Sequence, residues 1–413
     1  MSSGSKLTLS EDSGTANAAA NSKVSFTVNY NEVPLTDSNV TVTSSQSWAT
    51  CTWTGSTSTV TVTCTNNTSI SATRSATITV TYGGNNVKYT LTQSKGTWTV
   101  NPSEFNPCQA SGDSYVACQV NGSWISSGVT FKNYPSWVNR TMFSGGGGYI
   151  YYDENTNSNS RTGTVTAVYQ KDTKTITINQ KGTADLLSVR FADGNTYSYD
   201  NWPSNSTPIG IVIPNTNAFM SLVNMDYTKP DTGSVSSTGS YNNENMLYFG
   251  SIDAQIMLTK KTNVDEAKVY MPGTSNFNAI INYDNSNSTA WQTASAISNI
   301  VTDIYTHPAA QCCWRFHTEG TNQGEWYIPS TGEIYNALVK ETSSKLICTT
   351  SALMAKYPEV PIGYFYTSRN YWTSTGSHNG TVGGSSFWIG YGNGISSNRQ
   401  ANNAFLVRAF HQL

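Results

Sequence analysis

From Tyr364 to Asn403 the chain carries Tyr, Trp, Asn, Arg and His side chains and no acidic residue. The candidate ligand contacts in this stretch are Tyr366, Arg369, Asn370, Tyr371, Trp372, His378, Asn379, Tyr391, Asn393, Asn398, Arg399 and Asn402. Tyrosine offers rigid contact area at low entropic cost, while Asn, Ser and Gly supply adaptable hydrogen bonds. That chemistry is recognition rather than bond breaking. Glycosidic hydrolysis would need two carboxyl groups about 5–9.5 Å apart. The acids that lie near one another, Asp253 with Asp265 and Glu266, or Glu319 with Glu325, form no recognisable catalytic pattern. A GxSxG elbow, a P-loop and a dinucleotide fingerprint are all missing, so a non-enzymatic protein is expected. His307, His317, His378 and His411 form no HxH or HExxH cluster, and Cys312-Cys313 with Cys348 lacks CxxC spacing. Neither a metal nor a cofactor is expected.

Composition sets the surface on which such residues must be presented. Of 413 residues, 53 are Ser, 56 Thr and 42 Asn, whereas charged residues make up 12 % and the net charge is −2. With a pI near 6.1, the chain has no field suited to nucleic acid or an acidic membrane surface. Aromatic and β-branched residues are too plentiful for a disordered polar tract. The best apolar run, Ile209-Gly-Ile-Val-Ile213, falls far short of the ~20 residues that span a bilayer, so no membrane insertion is expected. The opening Met1-Ser-Ser-Gly-Ser-Lys-Leu-Thr-Leu9 lacks the apolar core of a secretory signal, and the expectation is a chain not addressed for export. Cys51 and Cys64 flank a hairpin-like run, and Cys108 and Cys118 lie in a similar setting. Either pair can face across strands, but without export reduced, buried thiols are expected.

Two elements repeat at a common offset. Arg74-Ser-Ala-Thr-Ile-Thr-Val-Thr-Tyr82 aligns with Arg161-Thr-Gly-Thr-Val-Thr-Ala-Val-Tyr169, and Gln93 and Gln180 follow each Tyr by eleven residues. Trp48 and Trp137 stand upstream. Ile78, Val80 and Tyr82, like Val165, Ala167 and Tyr169, alternate with polar residues, the period of a half-buried strand. Two tandem β-sandwiches of about 90 residues fit this pattern. A Trp before a strand, an Arg-x-(Ala/Gly)-Thr-(Ile/Val)-Thr strand and an ending in (Thr/Asn)-Gln resemble the Bacteroidetes-associated carbohydrate-binding often N-terminal (BACON) domain. The resemblance covers about 5–96 and 97–182; in the second copy Pro102, Pro107, Cys108 and Gly145–Gly148 interrupt it. It implies immunoglobulin-like sandwiches attached to glycan-handling surface proteins or gut bacteriophage proteins. Trp48 and Trp137 either stack on sugars or anchor the cores, and a lone Trp beside a strand favours the core.

After Gly182 helical spacing enters. Trp291, Ala294, Ile297, Ile300/Val301 and Ile304 share one face of an expected helix over 291–305, capped by Ser288/Thr289 and ended by Pro308. Ser330-Thr-Gly-Glu333 is a capping box that opens a second helix with Ile334 and Leu338 on its apolar side. Val189–Gly194 and Pro208–Ile213 read as opening strands. The ordered segments Gly324–Leu338, Tyr371–Thr375, Phe387–Gly390, Gly392–Gly394 and Phe405–Phe410 resemble the Fibrobacter succinogenes major paralogous domain, which is similar to the C-type lectin fold. That resemblance implies a display role for the loops after Tyr364 and a scaffold role for Trp388 and Gly390. We expect Glu333 and Arg408 to form an internal ion pair. The sugar-binding calcium signatures are missing. Formylglycine-generating enzymes share the fold and use cysteines, but Cys312, Cys313 and Cys348 all lie upstream of the display loops.

The expected fold is mainly β, with immunoglobulin-like sandwiches over 1–96 and 97–182 and an α+β C-type-lectin-like head over 183–413. The expected role is a phage virion component, a head or tail fibre, whose head binds a host-surface glycan or protein. Its partners would be other virion proteins and further copies of itself, with a trimer favoured. The alternatives are a secreted Bacteroidetes glycan-binding surface protein and a decoration protein without ligand.

Overall fold

The computed structural model describes residues 6–235, 247–248, 260–261, 273–297, 307–365, 371–377, 386–391, 394–400 and 404–413. These fall into two compact units. One spans the residues up to Pro107 with Ser111–Glu154 and Arg161–Gln180; the other comprises Cys108–Ala110, Asn155–Ser160 and Lys181–Leu413.

The first unit holds two sandwiches. In the N-terminal one the strands are β1 (Leu7–Leu9), β2 (Ser13–Ala16), β3 (Ser22–Tyr30), β4 (Val33–Pro34), β5 (Thr41–Ser44), β6 (Ala49–Thr54), β7 (Thr59–Cys64), β8 (Arg74–Tyr82) and β9 (Asn85–Gln93). One sheet runs β1-β3-β7-β6, with β4 beside β3, and the facing sheet runs β2-β9-β8-β5. Alternation dictates which side turns inward: Val60 and Val62 from β7, Ala76, Ile78 and Val80 from β8, and Tyr89 and Leu91 from β9 are buried, while the intervening Thr residues stay accessible. The Cys51–Cys64 run is a hairpin, as its spacing predicted.

The second sandwich repeats the plan with β10 (Trp98–Asn101), β11 (Glu104–Phe105), β12 (Gly112–Val120), β13 (Ser123–Trp124), β14 (Val129–Lys132), β15 (Val138–Ser144), β16 (Gly147–Tyr152), β17 (Arg161–Tyr169) and β18 (Asp172–Gln180). Its sheets run β10-β12-β16-β15 and β11-β18-β17-β14. Two hairpin turns of this sandwich clasp the first. Asn121, at φ 52°, donates from Nδ2 to Asn66 Oδ1 at 2.8 Å, and Gln170, at φ 46°, donates from Nε2 to Thr68 O and accepts from Ile70 N.

The second unit is α+β. Its main sheet is β20-β19-β21-β22-β30-β25, built from β19 (Val189–Phe191), β20 (Thr196–Tyr197), β21 (Pro208–Val212), β22 (Ala218–Ser221), β25 (Trp326–Tyr327) and β30 (Phe410–Gln412). Smaller sheets pair β23 (Leu247–Tyr248) with β29 (Ala404–Phe405) and order β24 (Lys260–Lys261), β26 (Tyr371–Ser377), β27 (Ser386–Tyr391) and β28 (Gly394–Gln400) side by side. Among the described residues the α-helices are α1 (Thr274–Asn287), α2 (Pro308–Arg315), α3 (Thr331–Leu338) and α4 (Lys340–Lys356).

The opening strands and the Ser330 capping box form as expected. The helix over 291–305 does not: Ala290–Gln292 makes a single 3₁₀ turn, 293–297 is irregular, and 298–306 lies outside the described residues. Pro308 starts a helix rather than ending one, since at the first helical position its missing N–H costs nothing. Asn-rich α1 has poor intrinsic propensity and eluded the pattern, yet Phe277, Ile280, Ile281 and Asp284 line its buried stripe.

Candidate functional site

The central strand of the expected display region is a core element. Tyr371 and Trp372 are fully buried. Tyr371 stacks on Phe365 with ring centroids 4.7 Å apart, and Trp372 donates from Nε1 to Leu247 O at 2.8 Å. These two residues are therefore corrected from ligand contacts to scaffold, because both large apolar rings are closed in on every side. The next residues of β26 fix it to two helices. Thr375 Oγ1 accepts from Thr331 N, Thr373 Oγ1 meets Thr331 Oγ1, and Asn276 Nδ2 donates to Ser374 O. Tyr391 closes β27, and Asn398 and Arg399 lie within β28. Tyr366, Arg369, Asn370, His378, Asn379, Asn393 and Asn402 lie outside the described residues.

Beneath this strand, buried Glu333 gathers four donated hydrogen bonds: Tyr327 Oη to Oε1, and Ser330 N, Ser330 Oγ and Gly273 N to Oε2. Burial nevertheless raises its carboxyl above the usual range, outweighing those donors. Arg408 does not pair with it, contrary to expectation. The guanidinium instead donates to Asn224 Oδ1 and to the carbonyls of Ser221, Gly363 and Tyr364, all at 2.8–2.9 Å. Each charge is satisfied locally by groups that the spacing of Glu333 and Arg408 could not reveal.

The repeated Trp, Arg and Gln converge at one corner of each sandwich. Arg74 lies 4.4 Å over the Trp48 ring, donates from Nε to Gln93 Oε1 at 2.7 Å, and reaches Thr65 O from Nη2. Arg161 lies 4.5 Å over Trp137, donates to Gln180 Oε1 at 2.8 Å, and reaches Asp153 O. Gln93 passes the chain of bonds to Asn17 O and Thr65 O, as Gln180 does to Asp153 O. A guanidinium covers one face of each indole and the ring packs against its sandwich core, so both tryptophans serve as buttresses. Buried Asn67 and Asn155 also repeat and went unnoticed in the sequence: Asn67 Nδ2 donates to Ala72 O and Ser94 O, and Asn155 Nδ2 donates to Asn159 O and Lys181 O. Asn is so common in this chain that a recurrence near offset 88 carried no signal.

Neither cysteine pair that the spacing allowed forms, and the expectation of reduced thiols holds for five cysteines but is corrected for Cys108 and Cys348. Cys108 is bonded to Cys348 of α4, while Cys51, Cys64, Cys118, Cys312 and Cys313 are free. Burial pushes the Cys118 thiol up to about 11 and the Cys312 and Cys313 thiols well above their ordinary value, which leaves them protonated and inert. Glu319 accepts from Thr207 Oγ1, and Glu325 accepts from Asn322 N and Nδ2. Asp253, Asp265 and Glu266 lie outside the described residues. Among the described residues, no three His, Cys, Asp or Glu side chains are grouped for a metal ion, and no helix is long and apolar enough to cross a membrane. A groove of about 330 Å³ runs beside the end of α4, lined by Val235, Met354, Tyr357, Val360 and Ile362, with Glu359 at its edge.

Residues 38–94 match the sequence profile of the BACON family, described as a putative binding domain, N-terminal. A search of curated proteins finds no match to the chain. Among solved structures, the chain is similar to an endo-fucoidan hydrolase of glycoside hydrolase family 107, at 11 % identity and a TM-score of 0.27 over 41 % of this chain and 27 % of that one. It is similar to titin domains z1z2 in complex with telethonin at 11 % identity and a TM-score of 0.26, over 44 % and 99 % of the two chains. Domains 4–9 of the surface layer protein SbsC match at 16 % identity and a TM-score of 0.18, over 45 % and 32 %. The chain thus spans about a quarter of the hydrolase and a third of the surface layer fragment.

Proposed function

We propose that this protein is a non-catalytic, surface-displayed carbohydrate-binding protein. The observation that carries the reading is the BACON match over 38–94. The second sandwich reads as another BACON-like domain, supported by the same Trp–Arg–Gln corner at Trp137, Arg161 and Gln180. Divided at 96 and 182, the chain would carry two such sandwiches and an α+β head of C-type-lectin-like type. In that head β27 lies between β26 and β28, and we take the ligand contacts from the Tyr364–Asn403 stretch, with His378, Asn379, Asn393 and Asn402 among the candidates. The Cys108–Cys348 disulfide supports maturation in an oxidising compartment, hence a secreted or cell-surface location rather than cytoplasmic assembly into a virion. A glycan array probed with the full chain tests this reading. Binding to a defined glycan class without cleavage is expected; binding to nothing, or release of shortened sugars, would overturn it.

A further inference from the structure

The outer face of one sheet in the second sandwich carries a row of aromatic side chains that the fold does not require. On β12 and β16, Tyr115 stands opposite Tyr149 and Asp113 opposite Tyr151; on β15, Arg140 stands opposite Tyr151 and Met142 opposite Tyr149. Farther along β12, Trp124 of β13 faces Gln119. From the Tyr151 rung to the Trp124 rung is six residues along the strand, about 20 Å at the usual rise. Tyr115 is 40 % and Trp124 56 % exposed.

Three features make this face a platform rather than loose surface. First, the rings are held. Gly147 has no side chain, and the Tyr115 ring occupies the space where a Cβ would stand, lying across the sheet against Tyr149 at 5.2 Å. Trp124 rests in the same way against Gly146, whose φ of 86° suits glycine. Arg140 sits 5.2 Å over Tyr151 and steadies it. Second, the hydroxyls of Tyr115, Tyr149 and Tyr151 make no hydrogen bond within the described residues, so polar groups at the ring tips remain open to a ligand. Third, the first sandwich is an internal control. Its matching rungs pair Ser25 with Thr61 and Lys23 with Thr63, and Thr52 and Thr50 take the places of Met142 and Arg140. The same backbone register is therefore built with hydroxyl side chains in one copy and aromatic ones in the other.

We propose that this face is a second carbohydrate site, distinct from the head, and that it binds a neutral oligosaccharide chain along β12. A pyranose has an apolar face of C–H groups that packs on a flat ring, and peripheral hydroxyls that bond to phenol and amide groups at its rim. The length of the row fits several sugar units in succession. Asp113 and Arg140 flank Tyr151 on either side and their charges cancel, which favours an uncharged glycan over a polyanionic one.

Affinity electrophoresis of the full chain through gels containing a mixed-linkage β-glucan, a mannan, an arabinoxylan or polygalacturonate tests the site. The variant Tyr115→Ser, Tyr149→Thr, Tyr151→Thr installs the side chains that the first sandwich uses on these rungs, so folding is expected to persist and is checked by circular dichroism and thermal unfolding. Retardation in at least one neutral gel, with a loss of about tenfold or more in apparent affinity in the variant, is expected. Trp124→Ala, a surface change, is expected to weaken the same interaction. Unchanged retardation in both variants would overturn this site while leaving glycan binding by the head intact. No retardation of the unmodified chain in any gel, or the strongest retardation in polygalacturonate, would overturn it also. Dimerisation of the unmodified chain that the triple variant abolishes would assign the face to a protein contact and overturn it as well.

Discussion

Aromatic residues in this chain do three different jobs, and only their surroundings tell them apart. Trp48 and Trp137 lie under guanidinium groups, Tyr371 and Trp372 lie inside the head, and Tyr115 and Trp124 face solvent. Arg74→Ala is expected to lower the stability of the first sandwich by about 2–3 kcal/mol, from the lost cation–π contact and charged hydrogen bonds, without changing glycan affinity. Denaturant unfolding paired with a binding titration checks both halves of that statement. Trp372→Ala is expected to cost about 3–5 kcal/mol through a large cavity and an orphaned Leu247 carbonyl. Any loss of binding in that variant should therefore track loss of folded protein rather than precede it.

At the scale of elements, the capping box of α3 is the clearest case of local sequence deciding local structure. Ser330 Oγ accepts from Glu333 N, and Glu333 returns the bond to Ser330 N. Glu333→Gln places an amide among donors and is expected to cost about 1–3 kcal/mol. Because burial raises this carboxyl in the folded state, the folded protein holds its proton more tightly than the unfolded chain. Stability from this group is then greatest below the unfolded value near 4.5 and falls as pH rises through the folded one. Unfolding titrations across that window should show this downward component in the native protein and its absence in the glutamine variant. The capping box and the alternating strands were legible because their signals span three or four residues. Helix α1 and the short turn at Ala290–Gln292 were not, because packing against the core rather than propensity decides them.

For the molecule as a whole, the disulfide is the feature with the longest reach, closing a loop across 240 residues. Denatured without reductant, the protein should take up alkylating agent at five cysteines, and at all seven after reduction, as mass spectrometry would read directly. Cys348→Ser is expected to lower stability by about 2–5 kcal/mol, mainly by freeing the unfolded chain. The tandem sandwiches are joined by side chains as well as by the backbone. Asn121 and Gln170 hold the 66–70 loop, so hydrogen exchange in that loop should rise when both are replaced by Ala.

The sequence by itself determined the repeated strands at Arg74–Tyr82 and Arg161–Tyr169, their 87-residue offset and hence a tandem pair of sandwiches, because a strand's burial pattern has a period of two and a repeat restates it. It also showed that Trp, Arg and Gln recur in each copy, though not that the three meet or that the arginine covers the indole. Only the tertiary structure decided which aromatic rings are shut in and which are displayed, since that depends on the register of three neighbouring strands and on Gly147, over which the Tyr115 ring lies. The partner of Cys108 was likewise beyond any local pattern. Proximity between residues 240 positions apart is set by how the chain packs, and no spacing rule records it.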